Sequence, residues 1–283
     1  KIITVYLGAT ATIQLILGRI ADVYGLKRIY ILGLVAYGVA VFLIGIVTTL
    51  ESVIATRILQ ALGNAVFLAL SPAIVTASVP NTYRGQALGW MTSIGMIGMI
   101  LGSFGAGFVI DHYGWRWVFL ARVPLTILAL GMSVWILPAI RNSPEANLDL
   151  ISALLIVASI LFLMFFLHQI QATGWFSSNT MGYLASSLIA FCCLIRRQMT
   201  IATPFIPRSL LRRGEVSLGL VCNFLMYLAI FVNWFVLPFF VAEIAGMGPA
   251  SIGVFLTIPA LFLLISSPLG GVFADRTHPA LAS

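Results

Sequence analysis

Arg57 places a positive charge inside an apolar segment predicted over residues 53–79. Near the middle of a membrane span a cation costs about 2.5–3.5 kcal/mol on insertion scales, so its side chain should face a cavity or a partner. Gln60 and Asn64 follow at spacings that put all three polar side chains on one helix face. This stripe predicts a water-accessible cavity lined by Arg57, Gln60 and Asn64. The alternative is that Arg57 extends outward to the nearby loop; we favour the cavity because the stripe continues inward.

A charged hinge joins the first two apolar segments. Gly18 and Asp22 close the first segment, and Gly25, Lys27 and Arg28 open the second. A glycine allows another helix to approach closely, and a carboxylate at this position can accept hydrogen bonds from the N-terminus of another helix. The two cations are expected to anchor the second helix at the lipid surface.

A weaker copy of this hinge, with Gly271, Asp275 and Arg276, returns near the end of the chain. A single copy is explained by an ordinary turn on the positively charged side of a membrane. Two copies about 250 residues apart, at helix ends predicted to lie on the same side, favour a repeated gating element in two related helical halves.

The segment predicted over residues 86–110 is rich in small residues. Gly98 and Gly102 are four residues apart, as are Ser103 and Gly107. Small residues at this spacing lie on one helix face, where they allow close helix contact and a bend. Ordinary close packing without a specific role explains the same pattern.

The composition identifies the lipid bilayer as the main solvent of this chain. Of its 283 residues, 61% are hydrophobic and only 8% are charged, whereas a soluble domain carries about 25% charged residues. Long continuous apolar runs argue against a barrel of alternating strands and predict an all-α polytopic membrane protein. The net charge of +7 is better explained by basic cytoplasmic loops than by binding of nucleic acid.

Groups that could carry enzyme chemistry are few. The sequence contains no Walker sequence, no HExxH zinc motif and no nucleophile elbow. Asp22, Asp111, Glu243 and Asp275 all lie at predicted span ends, and His168 lies near the outer end of its span. We therefore expect no enzymatic activity, no cofactor, no bound metal ion and no nucleic acid partner.

Nine apolar segments follow one another, each near the roughly 20 residues that a spanning helix needs. Basic residues cluster in alternate loops, beginning with Lys27 and Arg28, and these loops are predicted to be cytoplasmic. The protein is thus predicted to be a multi-pass integral protein of the plasma (inner) membrane. The predicted segments are residues 2–21, 29–49, 53–79, 86–110, 116–138, 150–169, 180–195, 216–242 and 250–274.

Taken together, these residues resemble the major facilitator superfamily, and most closely its fourteen-helix drug/proton antiporter branch. The hinge at residues 18–28 is similar to the family's loop between helices 2 and 3. Arg57, Gln60 and Gly63 are similar to the family's helix 4 motif, which is linked to proton coupling. The glycines at residues 98–107 resemble the antiporter motif of the family's helix 5.

The resemblance extends over the rest of the chain. Residues 111–124 are similar to the family's turn between helices 5 and 6, and the two segments within residues 150–195 resemble the two extra helices of the fourteen-helix branch. Three positions depart from the pattern, because Ser103 replaces a proline, Ala61 a glycine and Arg122 an asparagine. We expect Arg122 to extend to the outer interface rather than to point into the protein.

The resemblance implies a major facilitator fold that is incomplete at both ends, covering roughly the family's helices 2 to 10. A carboxylate of helix 1 would precede this chain, and the helix 11 partner of Asp22 would follow it. The partner surface of Asp275, near Arg84 and Gln86, is present. We therefore expect that this chain does not complete a transport cycle alone.

The resemblance also implies a domain plan and a function. Residues 1–138 would form an N-terminal helical bundle lacking its first helix, residues 139–203 two extra linker helices, and residues 204–283 the start of a C-terminal bundle. The implied function is proton-coupled efflux of amphipathic small molecules by alternating access, with a small-molecule substrate, protons and the lipid bilayer as partners. A uniporter or nutrient symporter of the same fold, and a truncated product without transport activity, remain as alternatives.

Overall fold

The computed structural model describes residues 2–138, 148–201, 204–205, 214–243 and 249–276. Helices dominate these ranges because, in lipid, each backbone N–H and C=O group must be paired within its own segment. A single 3-10 turn, Asn81–Tyr83, precedes the fourth helix. The α-helices in the described ranges are α1 Ile2–Tyr24, α2 Leu26–Ile46, α3 Leu50–Ser78, α4 Arg84–Tyr113, α5 Trp115–Leu120, α6 Arg122–Ile136, α7 Leu150–Thr173, α8 Ser178–Thr200, α9 Gly214–Glu243 and α10 Pro249–Arg276.

The nine predicted segments coincide with these helices, and the all-α prediction is confirmed. The segment predicted over residues 116–138 consists of α5 and α6, which are separated by Ala121. The short segment predicted over residues 180–195 is the longer helix α8. In the part of the chain that the structure describes, six helical stretches are long and apolar enough to cross a membrane, namely Leu26–Ile46, Leu50–Ser78, Trp115–Ile136, Leu150–Ile170, Ser178–Thr200 and Thr257–Arg276.

Large apolar side chains cover much of the outside of these helices. Trp135 of α6 is 90% exposed, and Ile127 and Leu128 of the same helix are also exposed. A water-soluble monomer rarely exposes contiguous apolar patches of this extent. The exposed surface is therefore suited to contact with lipid tails, as the composition predicts.

Contacts divide the chain into two compact units, neither of which is continuous in sequence. The first comprises Lys1–Ser71 and Phe119–Ile206, and the second comprises Pro72–Val118 and Pro207–Ser283. The division follows the contacts between helices rather than chain order, because α4 packs along α10 within the second unit. The three-part domain plan stays a prediction.

Small residues bring helices close together in the first unit. A Cβ atom on Gly63 of α3 would lie 2.7 Å from the carbonyl oxygen of Gly33 of α2, too close for any side chain there. Gly45 of α2 faces Leu120 in a similarly close contact. In the same unit α2 packs against α6, α1 against α2 and α7, and α7 against α8. These contacts fix the positions of the polar residues of α3 and α6.

Candidate functional site

Arg57 points toward neighbouring helices of the first unit. Its Nη1 donates a 3.1 Å hydrogen bond to Oε1 of Gln60, a residue that is only 2% exposed. Its Cζ lies 4.7 Å from the centroid of the Phe119 ring and 5.8 Å from that of the Tyr6 ring. Aromatic faces attract a guanidinium through their negative quadrupole, and this attraction is strongest where water is absent. These contacts hold the guanidinium within the first unit, and the water-accessible cavity lined by Arg57, Gln60 and Asn64 stays a prediction.

Of the three residues in the predicted polar stripe on α3, Arg57 and Gln60 form a hydrogen-bonded pair and Asn64 lies beyond them. Asn64 is half-buried on the same face, but within the described ranges no hydrogen bond joins it to Arg57 or Gln60. The Nε atom of Arg57 is buried and has no hydrogen-bond partner among the residues that the structure describes. A buried donor without a partner is costly and calls for a specific explanation.

Arg122, at the start of α6, faces the same aromatic ring as Arg57. Its Cζ lies 5.5 Å from the centroid of Phe119, and the ring face offers a half-buried guanidinium an attractive partner inside the unit. That Arg122 extends to the outer interface stays a prediction. Arg122 also lines a pocket of about 230 Å³ in the first unit, whose other lining residues are Leu34, Tyr37, Phe67, Leu125, Thr126 and Ala129.

Two guanidiniums therefore share the Phe119 ring. Their Cζ atoms cannot be farther apart than about 10 Å, the sum of their distances to the ring centroid. Two like charges at this separation repel by roughly 1.7 kcal/mol at an effective dielectric constant of about 20. In the described part of the chain, neither guanidinium forms an ion pair with a carboxylate. Phe119 and Tyr6 are not recognisable as site residues from the sequence, because aromatic residues in an apolar segment are indistinguishable from ordinary core.

The hinge between α1 and α2 depends on a glycine and a lysine. Gly25 has φ = 97° and ψ = 129°, a conformation that is essentially limited to glycine. Lys27 donates from Nζ to the carbonyl oxygen of Val134 at 2.8 Å and to that of Leu137 at 2.7 Å. These carbonyls lie at the C-terminal end of α6, where a cation satisfies unpaired oxygens and the helix dipole. Lys27 thus ties the hinge to α6 instead of serving only as a lipid anchor.

Four other residues of the two predicted hinges are either exposed or make no close helix contact among the described residues. Asp22 and Arg28 are exposed. A Cβ atom on Gly18 would meet no other atom within 4 Å among the described residues, so the close helix approach predicted there is not found. Arg276, in the second copy, is exposed at the end of α10.

Asp275 caps the start of α4 in the second unit. Its Oδ1 accepts a 2.8 Å hydrogen bond from the backbone N–H of Gly85, and its Oδ2 accepts one of 2.8 Å from that of Gln86. Arg84 instead donates from Nε to the carbonyl oxygen of Thr76 at 3.2 Å. The partner surface expected for Asp275 is therefore confirmed, and it consists of backbone donors at a helix N-terminus.

A seam of small residues extends this contact along α4 and α10. Gly85 and Gly271 face each other so closely that a Cβ atom on either would overlap the backbone of the other helix. Gly89 contacts the backbone of Ser267 and Pro268. One turn further along α4, the buried Ser93 donates from Oγ to the carbonyl oxygen of Leu264 at 2.8 Å.

The glycines that the sequence analysis selected lie elsewhere on α4. A Cβ atom on Gly98 or Gly102 would meet no other atom within 4 Å in the ranges that the structure describes, so the predicted tight contact is not found there. At about 100° per residue, these two glycines lie roughly half a turn away from the face that packs on α10. The side-chain surroundings of Ser103 and Gly107 lie outside the described residues.

An ion pair closes the hairpin of α7 and α8. Arg197 donates from Nε to Oδ2 of Asp149 and from Nη2 to Oδ1, both at 2.7 Å. The hydrogen bonds from Arg197 hold the pKa of Asp149 well below its usual range. Gln198 donates from Nε2 to Ser152 Oγ at 2.7 Å, which joins the same two helix ends. Opposite charges at the start of one helix and at the end of the next are a signal in the sequence that could have predicted this ion pair.

The family profile described as Major Facilitator Superfamily matches residues 2–281. The chain is 24% identical over 277 residues to the riboflavin transporter RibZ of Clostridioides difficile, covering 97% of this chain and 59% of RibZ. It is 24% identical over 275 residues to the tetracenomycin C resistance and export protein of Streptomyces glaucescens, covering 97% of this chain and 51% of that protein. It is 29% identical over 272 residues to the methylenomycin A resistance protein of Bacillus subtilis, covering 96% and 58%.

The chain thus spans about half the length of the curated relatives it matches. The family profile nevertheless covers almost all of the chain, and six of its helical stretches meet the requirements of a membrane span. The chain is a multi-pass integral membrane protein, and it belongs to the major facilitator superfamily.

Proposed function

We propose that this protein exports small amphipathic molecules in exchange for protons and belongs to the fourteen-helix drug/proton antiporter branch. The observation that carries the proposal is the half-buried Arg57 of α3. Its guanidinium is hydrogen-bonded to Gln60 and contacts the rings of Tyr6 and Phe119. An ionisable group within a membrane span is costly and by default functional.

A guanidinium keeps its proton in proteins, so Arg57 acts through its charge. A nearby cation favours the ionised form of an acidic group, and its removal favours the protonated form. A carboxylate that approaches Arg57 in one conformation and leaves it in another would release and take up a proton in step with that motion. This is the role that we propose for Arg57 in coupling.

The contact of Asp275 with α4 is the proposed gate on the cytoplasmic side. On the predicted domain plan α4 belongs to the N-terminal bundle and α10 to the C-terminal bundle, so the contact joins the two. Opening at this side requires both hydrogen bonds from Gly85 and Gln86 to break. A hydrogen bond to a charged group contributes roughly 1.5–3 kcal/mol, an amount that differential binding of substrate and proton can supply.

Further support comes from the linker helices and from the relatives. The hairpin of α7 and α8, closed by Asp149 and Arg197, matches the two additional helices expected in the fourteen-helix branch. One relative is named a resistance and export protein and another a resistance protein. The multidrug transporter MdtP of Bacillus subtilis is also similar, at 23% identity over 269 residues, covering 95% of this chain and 50% of MdtP.

The test is dye efflux, with and without a protonophore, from cells that express the full-length protein as its gene encodes it. This 283-residue chain is expressed separately for comparison. Arg57→Gln and Asp22→Asn should abolish export while membrane insertion stays normal. Arg196→Gln removes one exposed cation at the end of α8 and should leave export unchanged. Normal export by the Arg57 variant would contradict the proposed coupling role.

The second candidate is a uniporter or nutrient symporter of the same fold. Two observations favour it, namely Ser103 in place of the antiporter proline and a relative named a riboflavin transporter. Export that persists after the proton gradient is collapsed would favour a uniporter, whereas proton-driven uptake would favour a symporter.

A further inference from the structure

We propose that Arg57 and Arg122 together bind the anionic group of an amphipathic small molecule. This inference rests on the proposed export function and narrows its substrate class to organic anions. The binding site is centred on Phe119, whose ring lies 4.7 Å from Cζ of Arg57 and 5.5 Å from Cζ of Arg122.

The charge balance at this ring is the first argument. Two half-buried cations lie close together, and the described residues supply no carboxylate that pairs with either of them. The buried Nε of Arg57 is a donor without a partner in the same ranges. Guanidiniums bind carboxylate, sulfonate and phosphate groups through two parallel N–H donors. An anion at the ring would supply the missing acceptor and remove the repulsion between the two cations.

The pocket beside Arg122 is the second argument. Its volume is about 230 Å³, and four of its six other lining residues are wholly apolar, namely Leu34, Phe67, Leu125 and Ala129, while Thr126 presents a methyl group beside its hydroxyl. Tyr37 adds a ring with a hydroxyl group. An apolar wall with one cation fits a molecule that has an apolar body and at least one acidic group.

The two cations of this site lie on different helices. In the first unit Arg122 begins α6, whereas Arg57 lies on α3, so the two donors approach the ring from separate helices. A motion of either helix changes the distance between the cations. Affinity for an anion therefore depends on the conformation of the unit, as export by alternating access requires.

The test measures binding with the purified full-length protein in an uncharged detergent. The probes are carboxyfluorescein, an anionic xanthene dye, and tetramethylrhodamine methyl ester, a cationic dye of the same ring class, each titrated by fluorescence anisotropy. We expect carboxyfluorescein to bind to the wild type and to bind about tenfold more weakly to Arg122→Gln and to Arg57→Gln. Arg122→Lys should give an intermediate loss, because lysine keeps the charge but has no planar pair of donors.

The control variant is Arg196→Gln, which removes one exposed cation outside the site and should bind carboxyfluorescein like the wild type. Binding of the cationic dye should be unchanged or stronger in Arg122→Gln, which also shows that this variant is folded. Equal carboxyfluorescein affinity in the wild type and Arg122→Gln, or tighter binding of the cationic dye than of the anionic dye by the wild type, would overturn the proposal.

Export of the same two dyes separates this inference from the proposed function. If the wild type exports the anionic dye and Arg122→Gln does not, both stand. If neither dye is exported, the export function fails, and the binding titration alone decides the anion site. If Arg122→Gln loses binding in detergent but exports the anionic dye at the wild-type rate, the anion site exists but the assignment of its ligand as the transported substrate is wrong.

Discussion

Asp275 accepts a 2.8 Å hydrogen bond from the backbone N–H of Gly85, a residue that lies 190 positions earlier in the chain. Its second carboxylate oxygen accepts an equal bond from Gln86, so both oxygens are used at one helix N-terminus. Such a site favours negative charge because the first N–H groups of a helix have no partner within it. Four predictions follow from this contact and from comparable contacts elsewhere in the chain.

Replacing Asp275 with asparagine should loosen the start of α4 from the end of α10. Asparagine keeps one carbonyl acceptor but loses the charge, which should cost about 1–3 kcal/mol. The measurement is the labelling rate of a cysteine at position 86 by a membrane-impermeant maleimide, after Cys192, Cys193 and Cys222, all exposed, are replaced by serine. A cost of about 1.4 kcal/mol corresponds to a tenfold faster rate. Glu243→Gln, a change of an exposed carboxylate on α9, is the matched control and should leave the rate unchanged.

A methyl group at position 271 should destabilise the protein, whereas one at position 98 should not. Gly271→Ala forces a Cβ atom into the backbone of Gly85, and overpacking of this kind costs roughly 1–3 kcal/mol. Gly98→Ala enters open space within a helix, where alanine is favoured over glycine by roughly 1 kcal/mol. Thermal unfolding in detergent should give a lower midpoint for the first variant and an equal or higher one for the second. Equal unfolding midpoints for Gly271→Ala and Gly98→Ala would contradict the close contact between α4 and α10.

Removal of the Lys27 ammonium should destabilise the first unit. Lys27→Met keeps the aliphatic stem but leaves the carbonyls of Val134 and Leu137 without this donor, a loss of about 1–3 kcal/mol. Arg28→Met is the neighbouring control, because Arg28 is exposed. The midpoint of thermal unfolding should fall in the first variant only. A similar fall in both would mean that the hinge cations act only as lipid anchors.

The ion pair of Asp149 and Arg197 should stabilise the hairpin of α7 and α8 in a pH-dependent way. The hydrogen bonds from Arg197 lower the pKa of Asp149 below its ordinary value of 3.8. A lowered pKa in the folded state means that the stabilisation is fully present above that ordinary value and is lost as the pH falls below it. Asp149→Asn should therefore unfold at a lower temperature than the wild type at neutral pH.

The difference in unfolding temperature between the wild type and Asp149→Asn should narrow as the pH falls from about 4 toward 3. Glu51→Gln, a change of an exposed carboxylate at the start of α3, should show no such difference at either pH. A gap between Asp149→Asn and the wild type that keeps its size from pH 7 to pH 3 would show that the charge of Asp149 is not what stabilises the hairpin.

The membrane spans and the pairing of Arg57 with Gln60 were accessible from the sequence. A bilayer requires helices wherever the chain is apolar for about 20 residues, and this condition is local. The direction of Arg57 also has a local signal, since Gln60 lies at the spacing from which a side chain can accept its hydrogen bond. The α4 partner of Asp275 required the family resemblance as well, because nothing near Asp275 in the sequence identifies a partner 190 residues away.

The helix contacts were decided by the tertiary structure alone. Gly85 and Gly89 have the same four-residue spacing as Gly98 and Gly102, yet among the described residues only the first pair meets α10. Arg57 and Arg122 lie on different helices, and only the packing of those helices brings both to the ring of Phe119. In lipid no hydrophobic difference marks the face of a helix that packs against another helix, so close packing and polar contacts choose it. Composition and spacing therefore determine that this chain is a bundle of membrane helices, whereas the docking of those helices decides which glycines, cations and carboxylates meet.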